Sequence, residues 1–220
     1  MDTDARALAA FRASWEYAEA YVGEDSVLAD ARARAEEVGC VPIHPGSGAA
    51  LRLLAALLDA RHVVEIGTGT GVSGVWLLRG MRPDGVLTSV DVEAEHQRHA
   101  REAFAAEGVA PSRARLITGR ALEVLPRLAD GAYDLVLVDG DKAEYAEYVE
   151  QAARLLRPGG VMAVDNSLWH DKVADPAQRD PDTIAIRGVV TALREDERWT
   201  SALLPVGDGL LTAVRRPDAV

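Results

Sequence analysis

Between residues 62 and 165 short apolar runs alternate with helical stretches, and this alternation constrains the fold more than any other feature of the chain. The runs lie at 62–66, 86–91, 114–118, 134–139 and 160–165, with helices expected near 72–81, 93–107, 120–129 and 143–156. Leu135-Val136-Leu137-Val138 is apolar without interruption, the pattern of a strand covered on both faces. Strands that alternate with helices specify parallel βαβ units and hence a doubly wound α/β sheet. After a helix expected at 182–195 the pattern changes to two consecutive strands, 199–205 and 209–215. Gly207-Asp208-Gly209 joins them as a hairpin turn, so the parallel sheet should end in an antiparallel pair.

Upstream, helices are expected at 3–22, at 25–38 with Asp25 or Ser26 as N-cap, and at 49–59. The segment Gly39–Gly48 holds two prolines and three glycines and reads as an extended, irregular connection. A chain of 220 residues with no repeat and no long linker is expected to form one domain, 1–220, with residues 1–42 as a helical extension. The formal charge of -11 disfavours a nucleic-acid surface, since phosphate contacts need clustered Lys and Arg. Arg98, Arg101, Arg113, Arg115 and Arg120 are spread over helix and strand and read as solvated surface. Cys40 is the sole cysteine, no cationic leader opens the chain, and no apolar run approaches the ~20 residues of a bilayer span. A cytoplasmic protein without a membrane partner is expected.

Glu65-Ile66-Gly67-Thr68-Gly69-Thr70-Gly71 ends the first strand and opens a helix. Glycines there let the backbone turn sharply and approach a ligand, while the helix N-terminus offers free N–H groups. Asp91 ends the second strand, 20 residues after Gly71, where a carboxylate can accept from ribose hydroxyls. Two cofactors fit this loop. Gly69, Gly71 and Gly74 satisfy the dinucleotide pattern G-x-G-x-x-G, whereas Glu65 together with Gly67, Gly69 and Gly71 gives E-x-G-x-G-x-G, which resembles the first motif of class I methyltransferases.

A second constellation lies at two later strand ends, Asp139-Gly140-Asp141-Lys142 and Asp165-Asn166. If these strands are neighbours, ~4.8 Å apart, then Asp139, Asp165 and Asn166 converge on one point. Two carboxylates and an amide oxygen form a hard site suited to Mg²⁺. Lys142 would stand beside the metal, whose charge disfavours the ammonium and makes the amine a better base. His44, His62, His96 and His99 show no metal-ligand spacing, and Trp15, Trp76 and Trp199 read as packing residues.

Taken together, the stretch Ile43–Arg215, about four fifths of the chain, resembles the cation-dependent O-methyltransferase family of catechol and caffeoyl-CoA methyltransferases, especially its small bacterial members. The matching pieces are the Glu65–Gly71 loop, Val90-Asp91, Gly119-Arg120-Ala121, Val138–Lys142, Asp165–Trp169 and Leu204–Gly209, in family order. The resemblance implies a Rossmann-like seven-stranded sheet and an enzyme, a homodimer, that binds S-adenosylmethionine and a divalent cation. It implies that Glu65, Gly67, Thr68, Gly69 and Ser73 line the methionine and ribose part of the cofactor. Asp91 would hold the ribose hydroxyls and Ala121 would lie near the adenine, with Ile43, Asp139 and Asp141 also facing the cofactor. Asp139, Asp165 and Asn166 carry over as metal ligands and Lys142 as general base, with Asp139 sharing the catalytic role. Asp139, Lys142, Asn166, Trp169 and His170 fall where a catechol-like substrate should bind. Some relatives methylate a hydroxylated tRNA base instead, and a non-catalytic cofactor-binding protein would keep the same fold. Arg120 departs from the family pattern, which often has a small residue or proline there.

Overall fold

A computed structural model describes residues 2–217; Met1 and residues 218–220, which the one-domain reading also takes in, lie outside them. Three helices lead the chain: α1 (Asp2–Glu19), α2 (Ser26–Glu37) and α3 (Pro45–Leu57). Then β1 (His62–Ile66), α4 (Val72–Gly80), β2 (Val86–Asp91), α5 (Ala94–Ala106), β3 (Ala114–Thr118), α6 (Ala121–Val124), β4 (Tyr133–Val138), α7 (Tyr145–Leu155) and β5 (Leu156–Val164) alternate as the apolar runs require. The chain closes with α8 (Pro181–Glu195), β6 (Trp199–Leu204) and β7 (Leu210–Arg215). The seven strands lie in the order β3-β2-β1-β4-β5-β7-β6, parallel except for β7, which runs antiparallel to both β5 and β6. The Rossmann-like architecture expected from the sequence is therefore present.

Each side of the sheet carries its own core. Val63, Leu87, Leu135 and Leu137 pack with α2, α3, α4 and α5. Their neighbours Val64, Val90, Val136 and Val138 pack with α6, α7 and α8 on the opposite face. Successive strand side chains point to opposite faces, so strands buried on both must be apolar throughout. The chain proceeds outward from β1 to β3 and then crosses back to β4, so strand order reverses between β1 and β4. In open α/β sheets the crevice beyond the carboxyl ends at such a reversal is the ligand site.

Three expectations are corrected. Residues 45–48, expected to be irregular, form the first turn of α3, with Pro45 at a position whose missing N–H costs nothing. Packing outweighs the helix-breaking tendency of its glycines: an added Cβ at Gly48 would fall 2.3 Å from the Trp76 ring, so the helix needs glycine to seat there. The helix expected at 120–129 shrinks to α6 and a 3-10 turn, Leu125–Arg127, because Pro126 has no N–H to continue the helical hydrogen bonding. Arg113 is not simply solvated, since its guanidinium donates to the carbonyls of Gly85 and Arg82.

Candidate active site

The carboxyl ends of β1, β2 and β4 frame a cleft in two lobes. The larger, about 230 Å³, is lined by Ile43, Gly67, Thr68, Gly69, Ser73, Asp91 and Asp139. A second lobe of about 200 Å³ shares Gly67, Asp91 and Gly140 and continues to Ala121, Asp141 and Tyr148. Asp91 stands where they meet, its Oδ2 accepting from Gly69 N (2.9 Å) and its Oδ1 from Glu93 N (2.9 Å). These two backbone donors fix the carboxylate at the end of β2. Gly67 turns the chain away from β1 at φ 94°, and its N–H donates to Val90 O at 2.9 Å.

Glu65 occupies a different place from its neighbours on the loop. It is fully buried and absent from both linings, and it accepts from Ser73 Oγ (2.5 Å) and Ser89 Oγ (2.5 Å). Ser89 also bonds Thr68 Oγ1 at 2.7 Å, so Glu65 braces two cleft-lining hydroxyls from behind. Burial pushes its carboxyl up to about 7, against the two serine hydrogen bonds and with Asp139 and Asp91 adding to the rise. A raised carboxyl binds more protons in the native than in the unfolded chain between pH 4.5 and 7. Its contribution to stability is therefore full below pH 4.5 and is lost as pH climbs through 7. Glu65→Gln removes that loss, so the cofactor-free variant should gain on wild type by up to about 3 kcal/mol between pH 4.5 and 8. Denaturant melts at the two pH values measure the difference, and equal pH slopes would contradict it.

Asp139 and Asp165 follow directly on β4 and β5, which pair Val138 with Val164. Their amides donate to Ile66 O (2.9 Å) and Val138 O (3.0 Å), which extends the sheet hydrogen bonding into the site. Lys142 Nζ then donates to Asn166 Oδ1 (2.7 Å), Tyr145 Oη (2.5 Å) and Asp139 Oδ1 (3.2 Å), which uses all three ammonium donors. Burial holds the Tyr145 phenol protonated, and its O–H donates to Asp165 O at 3.2 Å. Asp165 is almost wholly buried and its Oδ1 has no hydrogen-bond partner. Burial first, and the charge of Asp139 second, push its carboxyl far above the ordinary range. A buried carboxylate with an unsatisfied oxygen is costly unless a cation faces it. Two carboxylates and an amide oxygen around such an atom fit a hard divalent ion. No group of three His, Cys, Asp or Glu side chains placed for a metal occurs among the described residues; this cluster has two acids and an amide.

Trp169 and His170 lie beyond Asn166 in a loop with unusual backbone. Asn166, Trp169, His170 and Asp171 all have positive φ, between 47° and 65°. Asn tolerates this region, whereas a bulky residue such as Trp rarely does, so tertiary contacts must hold the loop. Those contacts come from the β6–β7 turn: Ser167 N donates to Gly209 O (2.9 Å) and Leu168 N to Asp208 O (2.8 Å). Lys142 Nζ lies 5.6 Å from the Trp169 ring centroid, which joins the oxygen cluster to this loop. Beside His170 a cavity of about 360 Å³ opens, walled by Trp15, His44 and Asp208.

Several site residues escaped the sequence reading. His96, taken as surface or packing, lines the larger lobe with its Nδ1 3.5 Å from Asp91 Oδ2. Its place on the first turns of α5, five residues past Asp91, was the available signal. Cys40 lines the same lobe; Arg120, already singled out beside Ala121 as a departure from the family pattern, lines the second and pairs with Glu144. Trp15 offered no signal at all, because its position depends on how α1 docks.

The sequence profile of the O-methyltransferase family matches residues 21–216. The chain belongs to this family. A relative from Mycobacterium tuberculosis, named by that family activity, is 52% identical over 201 residues, 91% of this chain and 90% of its own. Among solved structures, a Corynebacterium glutamicum protein is 32% identical with a TM-score of 0.87, covering 96% of this chain and 99% of its own. The O-methyltransferase TomG of Streptomyces achromogenes, involved in tomaymycin synthesis and solved with S-adenosylmethionine, is 31% identical with a TM-score of 0.82, covering 92% and 95%. For this O-methyltransferase the dinucleotide reading of the glycine loop falls away. No helix among its described residues is long and apolar enough to cross a membrane.

Proposed function

We propose that this O-methyltransferase moves the methyl group of S-adenosylmethionine to one hydroxyl of a small catechol-like aromatic diol, with a divalent cation, Mg²⁺ by its oxygen ligands. The observation that carries the reading is the Lys142 ammonium seated on Asp139 and Asn166 oxygens beside the partnerless Asp165 Oδ1. A cluster built to hold positive charge thus borders, through Asp139, the cleft that would receive the methyl donor. When bound, the cation would acidify a hydroxyl and the cofactor would present an electrophilic methyl.

The chain's own residues supply the rest. Asp139, Asp165 and Asn166 would hold the cation, and Lys142, displaced from Asp139 and Asn166 and having released one ammonium proton to solvent, would take the hydroxyl proton on the free amine at Nζ. Tyr145 Oη keeps that amine in place. The loop Gly67–Ser73 and Ile43 would receive the methionine portion, Asp91 the ribose hydroxyls, and Ala121 with Asp141 the adenine side. Sulfonium is already activated, so positioning and charge stabilisation carry most of the rate. The net charge of -11 favours a small molecule over tRNA as acceptor.

The test is a panel of catechols, hydroxycinnamoyl-CoA esters and hydroxylated tRNA with labelled S-adenosylmethionine. Catechols should be labelled, EDTA should lower the rate by at least about 100-fold, and Mg²⁺ should restore it. A rate that EDTA leaves unchanged overturns the metal, and labelling confined to tRNA overturns the diol.

A further inference from the structure

Resting on that reading, we infer that the cavity between α1 and the 166–171 loop is a subsite for an arm of the acceptor. In it His170, oriented by Asp208, accepts a hydrogen bond from a hydroxyl or N–H donor remote from the methylated oxygen. The acceptor class narrows accordingly, from any vicinal diol to an aromatic diol bearing a donor-tipped arm.

The cavity adjoins the reaction centre through one ring. Lys142 Nζ faces Trp169, and the Trp169 ring lies 4.9 Å from that of His170, which is largely exposed and lines the cavity. Behind His170 stands Asp208, whose Oδ1 accepts the His170 amide at 2.6 Å. Its Oδ2 is buried without a partner and lies 3.6 Å from His170 Nδ1. At 3.6 Å the contact is electrostatic and not a hydrogen bond. A carboxylate on one ring nitrogen draws the proton there and leaves the other as acceptor, so Nε2 is the atom offered to the cavity.

The opposite wall is built to stay in place. Phe11, Trp15 and Glu19 recur every four residues, one stripe along α1. Glu19, buried, accepts from Gly46 N (2.8 Å) through Oε2 and from Gly207 N (2.6 Å) through Oε1. The same β6–β7 turn therefore anchors both α1 and the His170 loop, which fixes the width of the cavity. Trp15 meets His44 edge-on at 6.3 Å, and Phe11 shows its ring to the same space. Aromatic walls with one polar atom at the back suit a planar group that ends in a hydrogen-bond donor.

The experiment compares kcat/KM for catechol, 2-(3,4-dihydroxyphenyl)ethanol and the methyl ether of that alcohol with the Mg²⁺-loaded enzyme. Wild type should prefer the alcohol over its ether by about tenfold, the effect of one hydrogen bond. His170→Asn keeps a residue that tolerates positive φ but retracts the ring, and should bring that ratio near one, chiefly through KM. Asp208→Asn, which keeps an acceptor for the His170 amide, should lower the ratio partway, and melting curves of both variants verify the fold. Methylation of diols with no alcohol preference, or a preference that survives His170→Asn, overturns the subsite and leaves the diol reading standing. Turnover of none of the three overturns the acceptor class and the subsite with it.

Discussion

Lys142→Ala is expected to lower kcat by 10²–10⁴-fold, the usual effect of deleting a positioned general base. The side chain meets Asp139, Asn166 and Tyr145 and faces the Trp169 ring. Cofactor affinity should change little, because Lys142 lies outside both lobes of the cleft. The structure adds a second signature. Without metal, the ammonium is the positive charge nearest the buried Asp165, whose carboxyl it draws back toward the ionised form. Its removal should lower the melting temperature of the metal-free protein, and Mg²⁺ should then raise that temperature more in the variant than in wild type, since no ammonium competes for Asp139 and Asn166. Single-turnover rates at saturating Mg²⁺ and thermal melts with and without it read the two effects. Full kcat in the variant would remove Lys142 from the chemistry.

Gly67→Ala should be the most damaging substitution for the fold. An added Cβ would fall 2.0 Å from Asp139 O and 2.9 Å from its carbonyl carbon, both backbone atoms that no rotamer change can clear. The residue also sits at φ 94°, where an L side chain is strained. Strain and overpacking together cost about 3 kcal/mol, or roughly 10 °C in melting temperature for a chain of this size. The displaced atom belongs to a proposed metal ligand, so cofactor and cation binding should weaken together. Gly108→Ala is the control. It shares positive φ, at 75°, but meets nothing within 4 Å, so it should lose only about 1 kcal/mol. Equal melting losses in the two variants would show that strain alone, not the Asp139 contact, accounts for Gly67.

These two residues also mark how far the amino-acid sequence reaches. Gly67 and Lys142 were legible because their signals are local: a glycine loop at a strand end, and a lysine three residues beyond an acid that ends another strand. The βαβ rhythm is local too, since apolar strands covered on both faces and amphipathic helices write their periods into consecutive residues. What remained open at that level was whether β4 and β5 are neighbours, and the sheet order decides it by placing Asp139 beside Asp165.

Other assignments belonged to the tertiary structure from the start. Glu65 sits in the loop motif yet faces the core, because the alternation of β1 turns its side chain beneath the cleft to Ser73 and Ser89. Gly46 and Gly48 would discourage a helix on propensity, yet Glu19 and Trp76 need the space that glycine leaves. Trp15 becomes a cavity wall through a carboxylate four residues away that reaches two distant backbone amides. Strand ends, turns and periods are set by neighbours along the chain, so the sequence by itself determined the sheet and the residues at its rim. Burial, close approach and the docking of α1 depend on contacts between residues far apart in sequence, and only the folded structure decided those.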